Sequence, residues 1–170
     1  MGNEKPEDTS KKIEKIELKP EILGKLKWCL NKEKGIKVTP PNENLSSEYI
    51  KEADETLGIM MSIKGKWKAI TAYYACYNAL YAILMKAGIK SEIHECSIGL
   101  MNLIKEFGRE DIILFVFLKK ARIDAQYYLK EVVFNKDNEV KKFVNKCKQI
   151  LLLDISYIQE EVKKIQNEEK

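Results

Sequence analysis

The chain is poor in the residues from which most catalytic constellations are built. Its 170 residues contain one histidine, His94, and two arginines, Arg109 and Arg122, against 28 lysines. A single imidazole builds no histidine relay. No HExxH, no GxSxG and no glycine-rich phosphate loop occurs, which argues against most common enzymes. The four cysteines, Cys29, Cys76, Cys96 and Cys147, lie far apart with no CxxC or Cys/His ligand spacing, so neither a metal site nor a cofactor is expected. No basic-apolar-small leader opens the chain, and a reduced cytoplasm is the expected compartment. Long apolar runs are also missing. The longest uncharged apolar stretch, residues 69–85, is interrupted by Thr71, Asn78 and four tyrosines and falls short of the roughly 20 apolar residues a membrane span needs.

What is there is core material and charge. The chain is 45% hydrophobic and 33% charged, enough for one ordinary domain with a modest extension and too charged for a membrane protein. Thirty Lys+Arg against 26 Asp+Glu give a net charge of +4, which is compatible with a nucleic-acid partner without implying one. Where lysine is the default cation, an arginine inside a helical segment points to a need for planar, bidentate geometry.

Helical spacing runs through the sequence. Residues 1–19 are polar and highly charged, and fraying is expected there. Ile22, Leu23, Leu26, Cys29 and Leu30 recur at three and four, predicting a short docked helix over residues 21–31. Gly35, Pro40 and Pro41 mark a linker over 32–44. Ser46 or Ser47 is the expected cap of the first core helix, which carries Ile50, Ala53, Leu57, Met60 and Met61. The helix over 67–87 has two stripes: Ala69, Ala72, Tyr73, Cys76, Ala79, Leu80 and Ile83 on one side, and Ile70, Tyr74, Tyr77, Tyr81 and Met85 on another. A helix apolar on two sides is central in its bundle or covered by a partner subunit. Gly88 is its expected C-cap. A shorter helix over 95–107, broken by Gly108, leads to one over 110–134. A last helix carries Val140, Phe143, Val144, Cys147, Ile150, Leu151, Ile155, Ile158 and Val162 on one face, and Cys76 and Cys147 read as small core residues. Nothing reads as a strand. The expected fold is an all-α, antiparallel bundle of four to five core helices over 45–165, preceded by a polar extension with a short docked helix over 1–44 and followed by a frayed end over 166–170.

Candidate chemistry concentrates in residues 119–128, where Lys119, Arg122, Asp124, Gln126, Tyr127 and Tyr128 fall within three turns. On a regular helix Arg122 shares a face with Lys119 and Gln126, while Tyr127 lies roughly 140° away. Arg122 and Tyr127 would meet only across an interface or a distorted turn. The plain alternative pairs Arg122 with Asp124 or another acid on a solvated face. His94, in a connector, reads as a cap or surface residue or as a catalyst. Tyr74, Tyr77 and Tyr81 could stack bases, but the stripe reads better as a subunit interface.

At these residues the chain resembles the HEPN family of small helical domains. Ala72-Tyr-Tyr-Ala-Cys-Tyr-Asn-Ala-Leu80 looks like the AYYAxFxAA stretch of the family's second helix, Gly88 followed by His94 is similar to its connector, and Arg122-Ile-Asp-Ala-Gln-Tyr127 looks like the RxxADY variant of prokaryotic members. The resemblance spans about residues 46–158. It implies a helical bundle, usually a homodimer, often encoded beside a minimal nucleotidyltransferase as a toxin–antitoxin or defence pair. Many members are metal-independent ribonucleases whose Arg and His motifs meet between subunits, the Arg neutralising phosphate and the His moving protons as the RNA 2′-hydroxyl attacks. Here Ile123 follows the arginine, and Tyr127 or Tyr128 stands where the histidine would be. A phenol, with a pKa of about 10, is poorly matched to proton transfer at neutral pH. The expectation is nucleotide or RNA binding through Lys119, Arg122, Gln126 and Tyr127, with little or no cleavage. One alternative is a ribonuclease in which His94 replaces the motif histidine beside Arg122; another is a pure interaction subunit that holds the nucleotidyltransferase.

Overall fold

The computed structural model describes residues 16–168. The expected fraying of residues 1–15, and of the last two residues, lies outside them. Seven α-helices appear among the described residues: α1 Pro20–Leu30, α2 Glu43–Ser62, α3 Lys66–Ala87, α4 His94–Gly99, α5 Arg109–Gln126, α6 Asp137–Ile150 and α7 Ser156–Asn167, with a 3-10 turn over Leu100–Leu103. The fold is all-α.

The bundle forms around α3 because α3 is apolar on all sides but its ends. Fifteen of its 22 residues are buried, and six of these are alanines whose small side chains let neighbouring helices approach closely. α2, α5 and α6 pack along it, α2 and α5 antiparallel to it and α6 parallel. At one end Ser46 of α2 donates to the Ala82 carbonyl at 2.8 Å, so the start of α2 meets the end of α3. Lys68 pairs with Asp137, and Lys86 Nζ donates to the Leu151 carbonyl at 2.7 Å, so α6 runs parallel to α3. Lys146 reaches Asp111 at 2.6 Å, which turns α5 against α6. α2, α3, α5 and α6 thus form an antiparallel four-helix core, filled by Tyr73, Leu80, Ile83, Phe115 and Phe143. Phe143 stacks on Phe107 and meets Phe115 edge-on.

Several boundaries differ from the sequence expectation. α2 is capped by Asn42, whose Oδ1 accepts from the Leu45 amide at 2.9 Å; Ser46 is buried and serves α3 instead. Lys37–Val38 pairs antiparallel with Ile89–Lys90, a two-residue ladder too short to show a period. Gly88 does cap α3, at φ 75°. The helix expected over 110–134 ends at Gln126. Beyond it Leu129 adopts φ 52°, and Phe134 folds back onto Phe117, ring centroids 6.3 Å apart. Consecutive aromatic and β-branched residues, Tyr127-Tyr128 and Val132-Val133, favour leaving the helix there. The single C-terminal helix is two, because Asp154 Oδ1 accepts from the Ser156 amide at 3.0 Å and its hydroxyl at 2.8 Å, starting a new helix. α7 continues to Asn167, into the end expected to fray.

The cysteines also depart from expectation. Cys76 and Cys147 are buried free thiols, but Cys29 and Cys96 form a disulfide that ties α1 to α4. Sequence separation hid this pair. No helix among the described residues is long and apolar enough to cross a membrane.

Candidate functional site

Three elements converge near the C-terminal end of α5. The helix α3 supplies Tyr73, Tyr74 and Tyr77, the first turn of α4 supplies His94 and Glu95, and α5 supplies Lys119 and Arg122, with Tyr127 as its C-cap.

The Arg122 guanidinium lies among aromatic rings. Its carbon is 4.6 Å from the centroid of Tyr73, 5.8 Å from that of Tyr74 and 5.8 Å from that of Tyr127. Nη1 donates to the Tyr74 hydroxyl at 3.2 Å. Nε is buried and has no partner. The alternative ion pair with Asp124 does not form: that carboxylate takes Lys120 at 2.8 Å and Lys130 at 3.3 Å, and these lysines hold its pKa below the ordinary carboxylate value. Among the described residues no carboxylate lies within ion-pair distance of Arg122. A guanidinium facing π-systems is attracted to them, but rings accept no strong hydrogen bond, so its in-plane donors other than the one given to Tyr74 are left without a partner.

Arg122 and Tyr127 meet within one chain. Tyr127 keeps the helical bond from its amide to the Ile123 carbonyl at 3.0 Å, so the long arginine side chain and the phenol ring close the angular gap between their positions.

His94 belongs to the same cluster. Its ring stacks on Tyr77 at 4.1 Å between centroids, and Nδ1 lies 2.8 Å from the Tyr73 hydroxyl. Tyr73 is fully buried, and among the described residues that nitrogen is its hydroxyl's sole hydrogen-bond partner. A buried hydroxyl without an acceptor costs about 1–3 kcal/mol, so the hydroxyl donates and Nδ1 accepts. The neutral imidazole therefore carries its proton on Nε2, which has no partner among the described residues. Burial lowers the His94 pKa, and the positive charges of Arg122 and Lys119 lower it further. Burial pushes the Tyr73 phenol well above its ordinary value and Tyr77 up to about 12, so both stay protonated at neutral pH.

Lys119 is held nearby by Glu95, at 3.3 Å, and Glu95 also pairs with Lys25 of α1 at 2.7 Å. Gln126 is exposed on the last turn of α5, and Tyr127 and Tyr128 are exposed beyond it. Lys119, Arg122, His94 and Tyr127 are thus brought to one region. Sequence reasoning missed Tyr73 as the residue shared by Arg122 and His94, since its stripe marks it only as core.

Tyr77 and Tyr81, expected at a subunit interface, are buried within the chain. The connector after Gly88 and α4 fold over that stripe: Tyr77 shares a hydrogen bond with Ser97 at 3.1 Å, and Tyr81 donates to the Ser91 carbonyl at 2.9 Å. Tyr74 is half-buried against Arg122. Among the described residues no three His, Cys, Asp or Glu side chains converge as metal ligands. A surface cavity of about 630 Å³ lies elsewhere, between Ile16, Met101, Phe107, Arg109 and Ile112.

The lowered His94 pKa fixes a pH dependence. Below about pH 6.5 the unfolded chain takes up a proton at His94, whereas the folded chain does so only at a lower pH. The unfolded state then binds more protons, so stability falls as pH drops through that window. His94→Gln is expected to flatten the fall in urea-unfolding free energy between about pH 7 and about pH 5; an unchanged slope would contradict a desolvated imidazole.

Compared with protein-family models, with curated proteins and with solved structures, the chain matches none.

Proposed function

We propose that the site around Arg122 binds the phosphate of a nucleotide or an RNA strand without cleaving it efficiently. The observation that carries this reading is an arginine set among three tyrosines, its Nε buried and unpaired, with no carboxylate to neutralise it among the described residues. Phosphate is the natural complement of a planar donor fork. Lys119 adds charge, and the proton on His94 Nε2 makes the imidazole a third donor rather than a base. The exposed rings of Tyr127 and Tyr128 offer faces on which a base can stack.

The resemblance to HEPN domains supports the same reading, with the motif histidine replaced by tyrosine. The homodimer, the cytoplasmic setting, and the minimal nucleotidyltransferase partner of a toxin–antitoxin or defence module belong to this proposal. With Tyr77 and Tyr81 enclosed, the second copy is proposed to meet exposed apolar residues of α5, Ile113 and Val116.

One observation favours a second reading, metal-independent RNA cleavage by Arg122 and His94: both side chains pack against Tyr73. The test is purified protein with mixed RNA in EDTA, beside Arg122→Ala and His94→Ala, with binding followed as salt is raised. The binding reading expects intact RNA and an affinity that falls steeply with salt. Cleavage lost in both variants would replace it with the ribonuclease reading. Partner binding insensitive to salt, without RNA binding, would favour an interaction subunit.

A further inference from the structure

The Cys29–Cys96 bridge joins the last turn of α1 to the second residue after His94. It closes a loop of 67 residues. α1 has only 11 residues, of which Leu26 and Cys29 alone are buried, and a helix that short does not hold itself in isolation. Its other ties to α4 are the buried Leu26 side chain, which packs beside Gly99, and the exposed pair Lys25 to Glu95 at 2.7 Å. The bridge is the covalent anchor of α1, added to a single buried leucine contact with α4. The turn of α4 that it fixes carries both groups that shape the anion site from that side: His94, stacked on Tyr77, and Glu95, which holds Lys119.

We propose that this bridge is a redox-controlled lock on α1 and on the first turn of α4. A dithiol reductant reverses it by thiol–disulfide exchange. The Cys29–Cys96 sulfur–sulfur bond breaks as the two sulfurs gain two electrons and two protons, and the dithiol closes to its own disulfide. Both cysteines have no exposed surface, so exchange proceeds through transient lifting of α1, and the lifted form is what reduction traps. In a reducing compartment disulfides are characteristically transient or redox-sensing. Cys76 and Cys147 lie deep between α3 and α6, and burial raises both their thiol pKa values, so they stay out of the exchange. The coupling to ligand affinity rests on the phosphate-binding reading; the lock itself does not.

The test compares the full chain after equilibration with oxidised dithiothreitol, after reduction with dithiothreitol, and as the Cys29→Ser/Cys96→Ser double variant. Thiols titrated in denaturant are expected to number two in the oxidised form and four in the reduced form. Hydrogen exchange of the α1 amides is expected to speed up about tenfold or more on reduction while the centre of α3 is unchanged, and the double variant is expected to match the reduced form. Affinity for a 5′-phosphorylated RNA oligomer is expected to fall about fivefold or more. Four thiols in the oxidised preparation, or equal α1 exchange in the two states, overturns the lock. A functioning lock with unchanged RNA affinity overturns its coupling to the site. A functioning lock with no RNA binding in either state overturns the site reading and leaves the lock supported.

Discussion

Replacing Arg122 with alanine is expected to weaken nucleotide or RNA binding about 30-fold while leaving the fold intact. A charge-assisted hydrogen bond contributes about 1.5–3 kcal/mol, and the guanidinium is the only donor fork in the cluster. Stability should change little. The variant loses cation–π contacts of about 0.5–2 kcal/mol, but it also removes the buried, unpaired Nε, and the two effects oppose each other. Arg122→Lys is expected to behave like the alanine variant within a few-fold, because an ammonium keeps the charge and loses the fork. Titrating a labelled single-stranded RNA at several salt concentrations checks both, and the slope against salt is expected to drop by about one in Arg122→Ala, which loses the charge at the phosphate contact. Equal affinity in wild type and Arg122→Ala would place the ligand elsewhere.

Gly88→Val is expected to be the most damaging single change to stability, by about 4 kcal/mol. Gly88 caps α3 at φ 75°, a conformation that costs a residue with Cβ about 1–2 kcal/mol and a β-branched one more. Space is absent as well. A Cβ at this position would collide with the Thr39 carbonyl oxygen and the Gln159 amide. Those groups already form a node: Thr39 N donates to the Gly88 carbonyl at 2.8 Å, and Gln159 Nε2 donates to the carbonyls of Thr39 at 2.9 Å and Gly88 at 3.0 Å. One substitution therefore disturbs the α3 cap, the two-stranded ladder and the docking of α7 together. A thermal midpoint lower by about 10 °C is expected. A loss under about 1 kcal/mol would show that this node is not structural.

Periodicity made the helices legible and left their ends obscure. The stripe of α3 identified the centre of the bundle from Ala69 to Ile83, and all seven residues named on it are fully buried. The same reasoning joined α6 to α7, since Ile150 and Ile155 both face the core across a five-residue step that a hydrophobic count hardly distinguishes from four. The cap that separates them, Asp154 on Ser156, was readable as a motif. The second tyrosine stripe shows the limit of one-helix reasoning. Spacing places Tyr77 and Tyr81 on a common side, but what covers that side is set by the path of the chain after Gly88. Arg122, His94 and Tyr127 were recognisable by residue type. Their convergence depended on the packing of α3, α4 and α5 around Tyr73, which sequence marks only as apolar packing. The Cys29–Cys96 pair, 67 residues apart, is a property of the tertiary fold with no local signature.

The central claim is that Arg122 faces a phosphate. The most direct measurement is the NMR signal of the Arg122 Nε–H, followed together with His94 during titration with a short 5′-phosphorylated RNA. With only two arginines in the chain, the assignment is settled by Arg122→Lys. The Arg122 Nε–H signal is expected to shift saturably as phosphate meets the guanidinium, and the His94 ring to follow with the same affinity. A titration that saturates elsewhere on the protein while the Arg122 signal stays in place would contradict it.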